Sequence, residues 1–234
     1  MRMSKAANVK RVQREASPAD QTRAALVRAA LKLFGRQGFD GTSTREIAAE
    51  AKANIGSIAY HFGGKEGLRT AAADHIVDTI QAIAGQALGA AAAAPSSQEA
   101  ARAQLLAVLE GMVGFIVASP QAGEIVQFVL RELSHPTTAL DRIYAGVFEP
   151  THRRLCEVWE QATGEPAESE ATKLTVFTMI GQVIYFRIGR EAVLRRMGWR
   201  EIGKTEAAKV VAVATGNLKA MLAARDATRK EGTS

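Results

Sequence analysis

The chain reads as all-α: an N-terminal three-helix helix-turn-helix domain followed by a larger helical domain. Three observations carry this. Apolar residues recur every three or four positions over most of the length, the spacing of a helix face. Only 6 prolines occur in 234 residues, and Pro120, Pro136 and Pro166 sit where such faces are interrupted, where a missing N–H does least harm. No segment reads convincingly as a strand, and 47% hydrophobic with 23% charged residues is an ordinary globular composition.

Residues 1–20 are polar and basic and end in Ser17-Pro18-Ala19-Asp20, which predicts a flexible basic arm. Residues 21–68 hold the helix-turn-helix domain. Its first helix is expected over about 22–37, because Leu26, Ala29, Ala30, Leu33 and Phe34 share one face. Gly38 supplies a left-handed stop, and Phe39 turns back toward the core. Ser43 and Glu46 have the spacing of a capping box, in which each side chain satisfies a free N–H near the other. They open a second helix that buries Ile47, Ala48 and Ala51. Asn54 is a good N-cap for the third helix, whose inward residues are Ile58 and Phe62, and Gly63-Gly64 ends it. Lys65 opens a fourth helix that runs past Ala84.

Residues 69–234 make up the second domain. A low-complexity break covers 90–97. Further helices are expected over 98–118, 121–134, 137–163, 168–196 and 204–225.

The formal net charge of +6 is unevenly spread. Residues 1–69 hold 13 Lys/Arg against 6 Asp/Glu, while 70–234 hold 17 against 18. The basic excess thus coincides with the helix-turn-helix pattern, which points to double-stranded DNA as a partner. A single cysteine, Cys156, beside Leu155 and Val158, excludes an internal disulfide framework. It reads as a buried inert thiol and suits a cytoplasmic location. No run of about 18 apolar residues occurs and no apolar stretch follows the basic N-terminus, so neither a membrane span nor a secretory signal is expected.

A helix that enters the major groove must carry short side chains at its N-terminal end, so that the backbone comes close to base edges. Ile55, Gly56, Ser57 and Ala59 meet that demand. Tyr60 and His61 are long enough to reach flanking phosphates. Arg45 could pair with guanine O6 and N7, a contact that discriminates by about 1–3 kcal/mol. Thr44 and the free N–H groups around it would hold one phosphate and Lys65 another. Thr44 could equally help cap its helix, and His61 could equally be structural. His75, His135 and His152 show no ligand spacing with His61, and no Cys pair is present, so no metal and no cofactor is expected. No nucleophile motif or phosphate loop is found, since Gly63-Gly64-Lys65 lacks the G-x-x-x-x-G-K pattern; an enzyme is not expected. A non-specific architectural DNA binder fits poorly with a short capped helix pair and small reading residues.

These residues bear a specific resemblance. AALKLFGRQGFDGTS, TREIAAEA and HFGGKEGL, within 22–68, resemble the DNA-binding domain of the TetR family of bacterial transcription regulators. RELSHPTTALDRIYAGVFEP and FTMIGQVIYFRIGREAVLRRMGW resemble that family's CecR-like branch. The resemblance implies a larger helical dimerisation and effector-binding domain, and a homodimer released from a palindromic operator by a small-molecule effector. It implies DNA contacts at Arg45, Asn54, Ser57, Tyr60, His61 and Lys65. Two positions depart from the family pattern. Lys52 stands where the turn usually has Gly, and Ala59 where a tyrosine is usual, so Tyr60 could take over a phosphate contact.

For the dimer surface, Val176, Ile180, Ile184 and Ile188 recur every four residues, and Val210, Val213, Leu218, Met221 and Leu222 form a second stripe, with Gly181 and Gly189 allowing close approach. For the effector pocket, Met112, Phe115, Ile116, Phe128, Tyr144, Phe148 and Phe177 supply apolar walls. Arg131, His135, Arg142, His152 and Arg187 are the polar candidates for orienting a ligand.

Overall fold

The computed structural model describes residues 17–87 and 95–231, and every one of its regular elements is helical. Residues 1–16 of the arm, 88–94, which include 90–94 of the low-complexity break, and 232–234 lie outside the described residues.

Helix α1 spans Pro18–Gln37, four residues earlier than the apolar face alone suggests. The cause is local. Ser17 and Asp20 form a capping box, and Pro18 sits at the first helical position, where its fixed φ suits the helix. So residues 17–20, assigned to the arm by composition, begin the helix. Helix α2 spans Thr44–Glu50 and α3 spans Gly56–Phe62. The loop between α1 and α2 is closed by Thr42, 1% exposed, whose hydroxyl donates to the carbonyl of Gly38 at 2.7 Å. Helix α4, Lys65–Ala87, leads out of this head.

In the body, α5 (Gln98–Met112) continues as a wider π-helical stretch over Val113–Ala118. Helix α6 is Pro120–Ser134. The single helix expected over 137–163 is α7 (Thr138–Ile143), a π-helical stretch at Tyr144–Phe148, and α8 (Glu149–Thr163). The helix expected over 168–196 breaks at Gly189 into α9 (Glu170–Ile188) and α10 (Arg190–Met197). Gly189 can make that joint because the Tyr185 ring lies over it; a Cβ there would stand 3.0 Å from the ring. Helix α11, Lys204–Glu231, outruns its expected end.

Two hydrophobic cores result. The first gathers Leu26, Ala30 and Phe34 of α1, Ile47, Ile58, Leu68 and Ile76 of α2–α4, and also Ile125, Phe128 and Ile143 of the body. The head is therefore docked on α6 and α7 through shared apolar packing. The second core joins Leu105, Leu109 and Val113 to Trp159, Val176, Met179, Val183, Val210 and Leu218. Trp159 is fully buried, and its indole N–H donates to Glu165 at 2.8 Å. A two-pronged Arg102–Asp226 pair, at 2.5 and 2.8 Å, ties α5 to α11. By length and composition alone, Gln98–Ala118 and Lys204–Ala227 could cross a membrane, although neither is an uninterrupted apolar run. Both give their apolar faces to the second core.

Candidate nucleic-acid interface and effector region

The interface begins with the cap of α2. Ser43 accepts from the Glu46 N–H at 3.2 Å, and the Ser43 N–H donates to the Glu46 carboxylate at 2.7 Å. That backbone bond, then the Ser43 hydroxyl and the nearby Lys65, hold the Glu46 carboxyl below its ordinary value. Because Ser43 carries the cap, the Thr44 hydroxyl has no hydrogen bond among the described residues and stands at the helix mouth. Arg45, next to it, is exposed and has no ion pair among the described residues.

Between α2 and α3 the chain turns through Lys52 at φ 52°, a left-handed residue that is not glycine. Asn54 precedes α3 but lies outside its first turn. Its Oδ1 accepts from the Gly56 N–H at 2.8 Å, and α3 starts at Gly56 with Ile55 as its cap residue, one residue later than a direct N-cap at Asn54 would place it. This bond commits the Oδ1 of Asn54 to the helix start and leaves its amide NH2 as the group with which it can reach DNA.

The outward face of α3 carries Ile55 (46% exposed), Gly56, Ala59 and Tyr60 (84% exposed), while Ile58 at 2% plugs the head core. Ser57 and His61 are half-buried at the edges, and Tyr60 and His61 meet edge to face at 4.9 Å. Gly63 and Gly64, at φ 71° and 136°, return the chain into α4. Gly67 is required there: a Cβ would lie 1.9 Å from the Phe62 carbonyl. Lys65 does not extend freely. Its ammonium sits 4.2 Å from the centroid of the Phe39 ring, and the Arg69 guanidinium 4.0 Å from the same centroid. Phe39 thus steers Lys65, a role that the sequence showed only as a turn back toward the core.

The head is locked to the body on the opposite side. Arg131 of α6 donates to the carbonyls of Gly35 (3.1 Å) and Arg36 (2.8 Å), the open C-terminal end of α1. Gly35 allows that approach, since a Cβ there would stand 3.2 Å from Gln127 Cβ and from the Phe128 backbone. Phe128, 1% exposed, lies inside the head core. Neither Phe128 nor Arg131 therefore belongs to a pocket within the body; both belong to the joint.

Other candidate residues also move. Phe177 and Tyr144 are 59% and 54% exposed, which removes them from an enclosed pocket. Phe177 stacks on His152 with ring centroids 4.0 Å apart, and His152 Nε2 pairs with the Lys173 carbonyl at 3.2 Å. Arg142 is paired with Asp74. Arg187 donates to the carbonyls of Ile116, Val117 and Ser119, which end the π-helical stretch; burial, then Arg190, pushes its pKa down. His135 is the exposed C-cap of α6. Met112 and Ile116, packed on the second core, and Phe115 and Phe148, packed on the first, remain half-buried between the two. On α5, one turn before Val108, the Nε2 of Gln104 is buried without a hydrogen-bond partner.

The outward stripes need correction. Val176, Val210, Leu218 and Leu222 are 0–5% exposed and belong to the second core, and Ile180, Ile184 and Met221 are half-buried. The open face instead carries Leu174, Phe177, Tyr185 and Ile188 of α9 beside Val213 of α11, each more than half exposed. Gln182 and Asn217, bonded at 3.1 Å, bridge the two helices.

Comparison with known proteins agrees with this architecture. Residues 26–72 match the family described as bacterial regulatory proteins, tetR family, and residues 101–225 match the C-terminal domain of the HTH-type transcriptional dual regulator CecR. The CecR regulator of Shigella flexneri is 33% identical over 77% of this chain and 82% of its own length. The HTH-type transcriptional repressor NicS of Pseudomonas putida is 41% identical, over 26% of this chain and 29% of its own. Among solved structures, a transcriptional regulator from Pseudomonas aeruginosa PAO1 has a TM-score of 0.66 at 21% identity, covering 91% of this chain and 95% of that one. AibR, in complex with isovaleryl coenzyme A and operator DNA, has a TM-score of 0.60 at 18% identity, covering 83% and 96%. These two likenesses speak to the fold. The chain belongs to the TetR family of DNA-binding transcriptional regulators, a family of regulators and not of enzymes, with the CecR type of C-terminal domain.

Proposed function

We propose that the protein is a ligand-responsive repressor, located in the cytoplasm, that grips a palindromic operator as a homodimer and is released from it by a small molecule. Residues 21–68 read the DNA; residues 69–234 bind the effector and the second copy. The observation that carries this reading is the two-sidedness of the head. One side offers the open face of α3, with Arg45 and Thr44 beside it. The other is fastened to α6 by Phe128 and Arg131, so a change in the body is felt at the reading helix.

Short side chains at Ile55, Gly56 and Ser57 let α3 sit deep in the major groove. Arg45 reads guanine, while Thr44, Tyr60, His61, Lys65 and the Asn54 amide engage the flanks. One head reads only a few bases, and a two-fold pair reads both halves of a palindrome. The exposed face of α9 and α11 is the surface for that pairing. The effector enters between the two cores, among Met112, Phe115 and Phe148, and releases DNA only to the extent that it prefers the non-binding conformation. AibR was crystallised with both an acyl coenzyme A and operator DNA, which supports joint control by ligand and DNA in this fold.

Selection of bound fragments from a random DNA pool by the full chain should return a palindrome. On that operator, Arg45→Ala should cost about 1–3 kcal/mol and relax one position, with little loss on random DNA. Equal loss on both would reduce Arg45 to a phosphate anchor, and failure to enrich any sequence would reject the reading. A reporter carrying the operator, with and without the protein, scores the sign of regulation; the CecR relative is named a dual regulator.

A further inference from the structure

A cleft of about 460 Å³ opens at the joint between head and body, away from the reading face of α3 and outside the space between the two cores. That volume falls in the range of small-molecule sites, about 300–1,000 Å³. The head contributes Phe39, Asp40, Glu66 and Arg69 to its walls, and the body contributes Arg131 and Glu132.

The charges of this cleft are unbalanced. Three carboxylates, Asp40, Glu66 and Glu132, face two guanidinium groups, Arg69 and Arg131, and the imidazole of His135. Both cations are already engaged. Arg69 pairs with Glu66 at 2.6 Å and lies over Phe39, and Arg131 is spent on the carbonyls that end α1. Glu132 is the telling group. It is 6% exposed, yet its bonded partner is a neutral hydroxyl, that of Thr137. No cation among the described residues stands within ion-pair distance of it. A carboxylate buried this far is costly unless a charge or several donors meet it. Among the described residues no group of three acidic, His or Cys side chains could hold a metal ion, and an organic cation is the partner that suits this carboxylate beside an apolar wall. Phe39 lines the same cleft, with Phe34 and Phe128, 2% and 1% exposed, behind it, so this side of the cleft is apolar.

We propose that this cleft is a ligand site for a small organic cation, an amidinium or protonated amine on a flat apolar body, with Glu132 as its main anchor and Asp40 as its second. Such a ligand touches head and body at once. Its occupancy therefore biases the angle of the reading helix, and by linkage DNA must change its affinity by the same factor that it changes the affinity for DNA. The site is separate from the effector space proposed above and does not depend on it.

The test uses the full chain with benzamidine as probe, and with benzamide and benzoate as neutral and anionic molecules of the same shape. Calorimetric titration and the thermal unfolding midpoint should rank benzamidine first, with the other two giving no saturable signal. Glu132→Gln should weaken benzamidine at least tenfold while keeping the fold. If that variant does not fold, Asp40→Asn in the exposed loop and the ranking of the three probes on the unmodified chain decide instead. Benzamide binding as well as benzamidine, benzoate binding best, or full affinity in both variants would overturn the proposal. On the selected operator, benzamidine should shift DNA affinity and the operator should shift benzamidine affinity by equal factors. Benzamidine that binds through Glu132 without any such shift would leave a ligand site and overturn its coupling to DNA, and a chain that selects no operator fails on the DNA reading alone.

Discussion

Lys52 holds its turn at φ 52°, and a left-handed backbone costs a residue with a Cβ about 1–2 kcal/mol. Lys52→Gly should therefore raise stability by about 1 kcal/mol, less glycine's own entropy loss, read as a higher urea midpoint at unchanged slope. Lys52→Ala should not reproduce the gain, because the strain lies in the backbone. His75 offers a second residue-scale test. Half-buried on α4, it is held below its ordinary pKa of 6.5 first by burial and then by Arg28, with Asp78 opposing. The folded state thus binds fewer protons than the unfolded state. Its contribution is complete above about pH 6.5 and is lost as pH falls from there toward the lowered folded value. A urea series between pH 7.5 and 5, on the order of six points, should show His75→Gln losing less stability on acidification than the unmodified protein. Parallel loss in both would assign the acid sensitivity to other groups.

At the scale of elements, what was legible in the sequence was what is settled within one turn of helix. Ser43 and Glu46 announce α2 because each caps the other, and Ile58 is inward because a short helix has one apolar side. The break at Gly189 was hidden, since a lone glycine inside an apolar helical pattern is tolerated and only the Tyr185 ring above it shows the stop. The α9 stripe failed for a geometric reason. Steps of four residues advance the face by about 40° each, so a stripe from Val176 to Ile188 winds from the core to the surface. Those end residues are 0% and 52% exposed. The mixed spacing of Leu174, Phe177, Gly181, Tyr185 and Ile188 follows one side. Joints between elements were least legible, because Arg131 and Gly35 lie far apart in the chain. Arg131→Met keeps the apolar stem but leaves two α1 carbonyls without their charged donor, which should cost about 1.5–3 kcal/mol. Hydrogen exchange in the last turn of α1 should quicken more than in α11. Uniform quickening would make Arg131 a general stabiliser and not a clamp on the head.

At the scale of the whole molecule, large apolar side chains gather on one open face of the body. Leu174, Phe177, Tyr185 and Ile188 lie along α9, Val213 lies on α11 beside them, and the Gln182–Asn217 bond fixes the two helices side by side. Gly181 and Gly216 add no bulk, and a Cβ at either would meet open space. A two-fold partner laying its own α9 and α11 across this face would make a four-helix layer, with the glycines letting the backbones approach. Large exposed apolar residues gathered on one face mark such a contact better than their scattered equivalents elsewhere. The same pairing would set the distance between the two heads, and hence the half-site spacing expected of a palindrome. Charging the face should undo it. Phe177→Glu combined with Tyr185→Glu replaces two exposed side chains, so helix content by circular dichroism should stay unchanged. Sedimentation should then report a monomer for the variant and a dimer for the unmodified chain. Operator affinity should fall toward that of an isolated half-site, while Arg45 keeps its preference within each half. A doubly charged variant that still sediments as a dimer would move the pairing surface away from α9 and α11.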